Sequence, residues 1–284
     1  MRISLLRQRK NNDFLAFIET LWLTARNRFS RQSCLRAGGP VVILTTHGRR
    51  LATVHLTLES IARGRVKPSR LILALDDLEA GKELSRGLQR LKARGLEVVY
   101  GPNIGPHQKY YLYIKSAVLL DSPLVTADDD VMYPCYWLDR LFFEYRKNPE
   151  LIHCYRAHRV MINDGEIAPY SEWDPCRSDL PSFKNFATGV SGVIYPPKFQ
   201  LWLKHAGDAF KSCCPHADDI WLHANAIRCG IRIHQISSRP IHFVGMRGTQ
   251  EIALHAENVT GSGNDRQIDA TYTHDDMRVL LSDC

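Results

Sequence analysis

From Val41 onward the apolar positions follow two alternating periods. VVILTT (41–46), RLILAL (70–75), LEVVY (96–100) and PLVTA (123–127) are short apolar, β-branched runs, the pattern of strands buried on both faces. Between them, residues 51–63, 79–94 and 109–120 carry apolar side chains at helical spacing. Strand and helix in alternation predict an α/β fold, one domain with a mostly parallel sheet flanked by helices. Such sheets bind ligands in the crevice at the carboxyl ends of their strands. Residues 45–50, 76–77, 101–109 and 128–130 should all lie along that edge.

Ahead of the sheet, Phe14, Phe17, Ile18, Leu21, Trp22, Ala25 and Phe29 recur at helical spacing, and RAGGP (36–40) breaks the pattern. Charge changes the picture here. The chain carries +7, and residues 1–36 hold eight basic side chains against Asp13 and Glu19, or +6. The rest is nearly neutral, so a nucleic-acid-binding core is not expected. The first helix either packs on the domain or another subunit, or lies on an anionic inner-membrane surface. No apolar run is long enough to span a bilayer, and no secretory signal opens the chain. The eight cysteines form no Cys-x-x-Cys pair or zinc spacing, which predicts free thiols and a cytoplasmic setting, with peripheral contact at the inner face of the plasma membrane as the further option. The expected organisation is a basic helix (1–37), a main domain (38–245, with a nucleotide half to 135 and an acceptor half after it) and a C-terminal extension (246–284).

The chemistry gathers in two acidic groups. TADDDVMYP ends an apolar strand in Asp128, Asp129 and Asp130. Alternation along an extended chain puts Asp128 and Asp130 on one side and turns Asp129 to protein groups behind. Two such carboxylates suit a hard divalent cation, Mg²⁺ or Mn²⁺, and a solvated acidic turn is the plainer alternative. HADDIWLHANA places Asp218 and Asp219 before a helix that ends near Gly230. One of them could merely cap that helix. His223 falls one turn after Asp219, where it either orients that carboxylate or simply packs.

Several stretches in order, ILTTHGRR, LALDD, GPHQKYYLYIKSA, TADDDVMYP, ATGVSGVIYPP, HADDIWLHANA and GSGNDRQI, make the chain resemble the A-type (GT-A) nucleotide-sugar glycosyltransferases of bacterial surface polysaccharide synthesis. The resemblance spans most of residues 40–270. It implies a Rossmann-like nucleotide half, with Thr45, Thr46 and Arg49 against base and ribose and Asp76 bonded to the base. Lys109 would reach the diphosphate or the base. Asp128 would touch ribose or metal, Asp129 belongs to the same nucleotide loop, and Asp130 would bind the metal directly. His242 is either a third metal ligand or a histidine without chemistry. Asp219, with Asp218 as the alternative, would be the base that deprotonates an acceptor hydroxyl. The implied reaction moves a sugar from a nucleotide-sugar donor, UDP-linked by family habit, onto a glycan or lipid-linked acceptor with inversion. Donor sugar, linkage and oligomeric state are left open.

Softer candidates are the glycines of ATGVSGVIYPP, which would let backbone approach a sugar, and Trp173, which stacks on an acceptor or packs. Asn264 and Asp265 suit a turn and are assigned no chemistry. The alternative enzyme is a sugar nucleotidyltransferase, for which a glycine-rich loop after the first strand is expected, whereas TTHGRR holds one glycine. A phosphohydrolase would need an Asp where Thr45 and Thr46 stand. A non-catalytic membrane-surface scaffold would leave two acidic groups unexplained.

Overall fold

The computed structural model describes residues 2–246 and 263–283. A long helix, α1 (Arg2–Phe29), leads into β1 (Val41–Thr45), α2 (Val54–Ala62), β2 (Arg70–Asp76), α3 (Arg86–Lys92), β3 (Leu96–Gly101), α4 (Gln108–Ser116) and β4 (Leu124–Ala127). The pieces then shorten: β5 (Val131–Met132), α5 (Trp137–Lys147), β6 (Ile152–Cys154), β7 (Ala157–Arg159), β8 (Ile162–Asn163), β9 (Glu166–Ile167), β10 (Asn185–Ala187) and β11 (Val193–Tyr195). Helices α6 (Pro197–Ala206), α7 (Phe210–Cys213) and α8 (Asp218–Arg228) follow, then β12 (Ile233–Gln235) and β13 (Val244–Gly245), and last α9 (Gly263–Thr271) and α10 (His274–Ser282).

Seven strands form the central sheet in the order β12-β6-β11-β4-β1-β2-β3, and β11 alone runs against its neighbours. The predicted mixed α/β architecture with a mostly parallel sheet is what the chain adopts. Residues alternate between faces along each strand. Val41 and Ile43 therefore join the apolar cluster under α4, α6 and α8, while Val42 and Leu44 join the one under α2, α3 and α5. Both faces are covered, which is why these strands are continuously apolar. Because β1 lies between β2 and β4, the chain winds outward in both directions from it, and a crevice opens at the carboxyl ends beside this reversal.

The helix expected over 79–94 is shorter. Gly81 adopts φ +85, and α3 begins only at Arg86, where the Ser85 hydroxyl accepts the Leu88 N–H. The helix expected to run to Leu120 ends at Ser116, because Ala117 turns extended (ψ 128). The C-terminal helices are bound tightly to α8. Arg228 donates to Asp276 at 2.7 Å, and Ile268 and Leu280 enter the same apolar cluster as α8.

Candidate functional site

At the carboxyl edge, β1, β2 and β4 deliver Thr45, Asp76 and Asp128 to one cavity of about 390 Å³. Its wall is a polar relay. The Gln108 amide donates to Asp76 Oδ1 (2.8 Å), its oxygen lies 3.0 Å from the Thr45 hydroxyl, and Asn103 donates to Asp76 Oδ2 at 3.2 Å. Each partner fixes the next, so the edge presented to a ligand is set before it arrives. Arg50, Lys109, Asp129 and His216 also line the cavity.

The acidic triple does not follow strand alternation: Asp129 and Asp130 lie in a turn, both within reach of Arg50, and it is Asp129 that lines the cavity with Asp128. Asp129 turns inward, accepting from Thr46 (2.5 Å) and Arg50 (2.9 Å), while its carbonyl accepts the Thr57 hydroxyl. Asp128 Oδ1 accepts from Lys109 Nζ at 2.6 Å, and Asp130 Oδ2 lies 3.5 Å from Arg50 Nη2. Burial pushes the Asp130 carboxyl up, Arg50 opposes this, and the charges of Asp128 and Asp129 add to it. Met246 N–H and the β13–β5 pairing hold the loop from behind.

A second cavity of about 200 Å³ adjoins the first and shares Pro106, Lys109 and His216 with it. Asp218 and Asp219, in the first turn of α8, face it together with Tyr170, Phe186 and Asn264. Gly189 N–H donates to both oxygens of Asp219, at 3.0 and 3.1 Å. A Cβ on Gly189 would stand 3.2 Å from Asp219 Oδ1 and 3.4 Å from Lys109 Nζ, so the glycine permits the close approach. Burial first, and then the Asp218 charge, push Asp219 up to about 7, against the pull of Lys109 and the Gly189 N–H. A carboxyl held there is suited to exchange a proton near neutral pH. Burial works against the charge on Lys109, but Asp128, Asp218 and Asp219 outweigh it and hold the ammonium well above its usual range. Lys109 therefore links the two acidic groups.

Asp76, Lys109, Asp128, Asp129, Asp218 and Asp219 thus come together, with Thr45 beside them. Thr46 is buried against Asp129, and Arg49 is exposed outside the cavity lining; its neighbour Arg50 takes the inward position. His242 is exposed, and the charge acting on it is that of Arg156. His223 does not orient Asp219. Its Nε2 donates to the Phe183 carbonyl and its Nδ1 accepts from Tyr272, while burial pulls its pKa down to about 4. Trp173 is packed, with Nε1 donating to the Ala168 carbonyl. Sequence reasoning missed Arg50, Asn103, Gln108, Tyr170, His216 and Asn264. Several adjoin residues it did single out, Arg50 after Arg49 and Gln108 before Lys109, and that adjacency was the available signal. Asn264, assigned a turn, lies at the mouth of α9 with its buried Oδ1 unpartnered among the described residues.

The expected metal pair is not assembled: Asp128 lines the first cavity bonded to Lys109, whereas Asp130 lies outside that lining against Arg50. They do not form a protein cage: among the described residues no group of three His, Cys, Asp or Glu side chains could hold a metal.

No family model and no curated protein matches the chain. Among solved structures, CMP:2-keto-3-deoxy-manno-octonic acid synthetase complexed with CTP matches 80% of this chain and all of its own, at 12% identity and TM-score 0.42. The inositol-1-phosphate CTP transferase from T. maritima matches 84% of this chain and all of its own, at 12% identity and TM-score 0.46. By these descriptions both neighbours use CTP, and neither is a glycosyltransferase. The expected UDP-sugar glycosyltransferase of surface polysaccharide synthesis is corrected accordingly, together with its manganese-binding Asp-x-Asp motif. The sequence resemblance rested on seven short stretches in order, Asp-x-Asp among them. In the folded chain Lys109 and Arg50 already lie against Asp128 and Asp130.

Proposed function

We propose that the protein is a nucleotide-dependent transferase of the sugar-nucleotidyltransferase kind. The first cavity takes a nucleoside triphosphate, with Thr45, Asp76, Asn103 and Gln108 at base and ribose and Arg50 and Lys109 at the phosphates. The second takes a polyhydroxylated, sugar-like acceptor between Tyr170, Phe186 and Asn264. The acceptor oxygen attacks the α-phosphorus, its proton passes to the Asp219 carboxylate, and pyrophosphate leaves. A divalent cation carried in with the triphosphate, with Asp128 at the cavity wall to receive it, would disperse the charge of the departing pyrophosphate. Lys109 orients the attacked phosphate and moderates the basicity of Asp219.

One observation carries this reading: Lys109 stands where the two cavities meet, bonded to Asp128 of one and flanked by Asp219 of the other. Only a glycine-poor loop follows β1, so charge from Arg50 and Lys109 takes the part a glycine-rich cradle would otherwise play. The seven described cysteines are free, in keeping with the reducing compartment where nucleoside triphosphates abound.

The test is a panel of CTP, UTP, GTP and TTP beside the matching diphosphates and diphosphate sugars, each with magnesium, read as thermal stabilisation and as pyrophosphate release with sugar acceptors. Triphosphates alone should stabilise the protein, and one should yield pyrophosphate. Equal stabilisation by diphosphates, with no pyrophosphate from any triphosphate, overturns the assignment.

A further inference from the structure

Helix α1 is apolar on two opposite sides, and the domain uses only one of them. Ala16, Leu23 and Asn27 are buried against α2 and α3, with Arg26 paired to the buried Glu59 and Arg63 bonded to Glu19. Thr20 reaches Met132 Sδ at 3.7 Å, so this side braces the strand that follows the acidic triple. On the other side Phe17 (56%), Ile18 (46%), Leu21 (54%), Trp22 (47%) and Phe29 (74%) are exposed. At about 100° per residue, this exposed set forms a stripe roughly 140° wide, centred about 180° from the buried one. A helix that only packed on its own domain would be polar there.

We infer that this outer face of α1 docks on an anionic membrane surface, lying in the interface plane. Charge selects the occupant. Residues 1–36 carry +6, Arg26 of that set is paired with Glu59, and Arg28, Arg31 and Arg36 are exposed on or after the helix. Of the two acids in that segment, Glu19 is already neutralised by Arg63. A second copy on this face would bring two such strips together, and their repulsion disfavours it, whereas anionic headgroups complement them. No described helix is long and apolar enough to cross a membrane, so the contact is with the surface. Aromatic side chains flanked by arginines are suited to that depth, rings among the upper acyl chains and guanidiniums at the phosphates.

The test is co-sedimentation of the full chain with vesicles of phosphatidylglycerol and phosphatidylcholine in equal parts, against phosphatidylcholine alone. The mixed vesicles should bind at least about tenfold more tightly, because the basic residues contribute only where headgroups are anionic. Phe17→Ser with Leu21→Ser should weaken that binding at least about tenfold without lowering Tm, since both side chains are more than half exposed. Arg28→Ala should weaken it about fivefold, the equivalent of roughly 1 kcal/mol per basic residue near the surface. The inference falls if the unaltered protein ignores anionic vesicles or if these variants bind as it does. It falls equally if the protein is a lipid-free dimer that Phe17→Ser with Leu21→Ser turns into monomers. None of these outcomes touches nucleotide binding, which is read separately.

Discussion

Lys109 is the only ammonium set among Asp128, Asp218 and Asp219 in the described structure, and this determines what its loss would do. Lys109→Met removes the charge at nearly constant shape. The carboxylates then take up protons more readily, so part of the cost appears as a pH shift and not as unfolding. Turnover should fall, and its rise with pH, governed by Asp219, should move upward from about 7, as a pH–rate profile would record. Asp219→Asn should cost about 10²–10⁴-fold in turnover while leaving nucleotide affinity nearly intact. Its stability effect has a definite sign. The folded carboxyl holds its proton up to about 7 and the unfolded one releases it near 3.8, so between those values the native state binds more protons. The native protein therefore loses stability as pH rises across that window. Asp219→Asn should escape that share of the loss, and thermal melts from pH 4 to 8 would show the difference opening toward 7 and levelling above it.

Elements carry the next constraints. Gly192 adopts φ +100, and a Cβ there would meet Trp137 Cζ2 at 2.7 Å, beneath the turn that brings Gly189 to Asp219. Gly192→Ala should destabilise by about 1–3 kcal/mol and, by displacing that turn, lower turnover too. Glu59, fully buried in α2, receives Arg94 in a two-bond fork (2.8 and 3.0 Å) and Arg26 from α1 at 3.0 Å. Glu59→Ala leaves two guanidiniums without their anion and should cost about 3–5 kcal/mol in denaturant melts. The same scale explains what was legible in the sequence. Strands β1, β2 and β4 announce themselves because both their faces are buried along a continuous apolar run, and the half-buried edge strand β3 shows through its apolar VVY. Strands β6, β10, β11 and β12 are three residues each, and His153, Asn185 and Gln235 interrupt their apolar character with buried polar partners that only the tertiary structure supplies. The acidic groups were visible as composition. Their joining through Lys109, the choice of Arg50 over Arg49, and the Gly189 bond to Asp219 depend on segments that meet only after folding.

Across the whole molecule, residues 38–135 and the part after them share one sheet. β4 bonds to β1 on one side and to β11 on the other, and β11 carries the pairing on to β6. Each apolar cluster likewise mixes the halves: Ile43 with Ile233 and Ile268, Leu44 with Tyr155 and Ile236. A boundary near residue 135 therefore has no separate core on either side, and unfolding should be a single transition for the described residues 38–246 and 263–283. That gives ligand binding a measurable reach. A nucleotide at a hundredfold excess over its Kd stabilises the native state by about 2.7 kcal/mol, which in a chain of this size raises Tm by about 5–10 °C. Backbone circular dichroism, which reports both parts, and Trp221 fluorescence, which reports the later one, should show the same shifted midpoint. Two midpoints, with only the earlier part of the chain moved by nucleotide, would mean that the shared sheet does not bind the halves into one unit. In that case the placement of Lys109 between two cavities would no longer couple them.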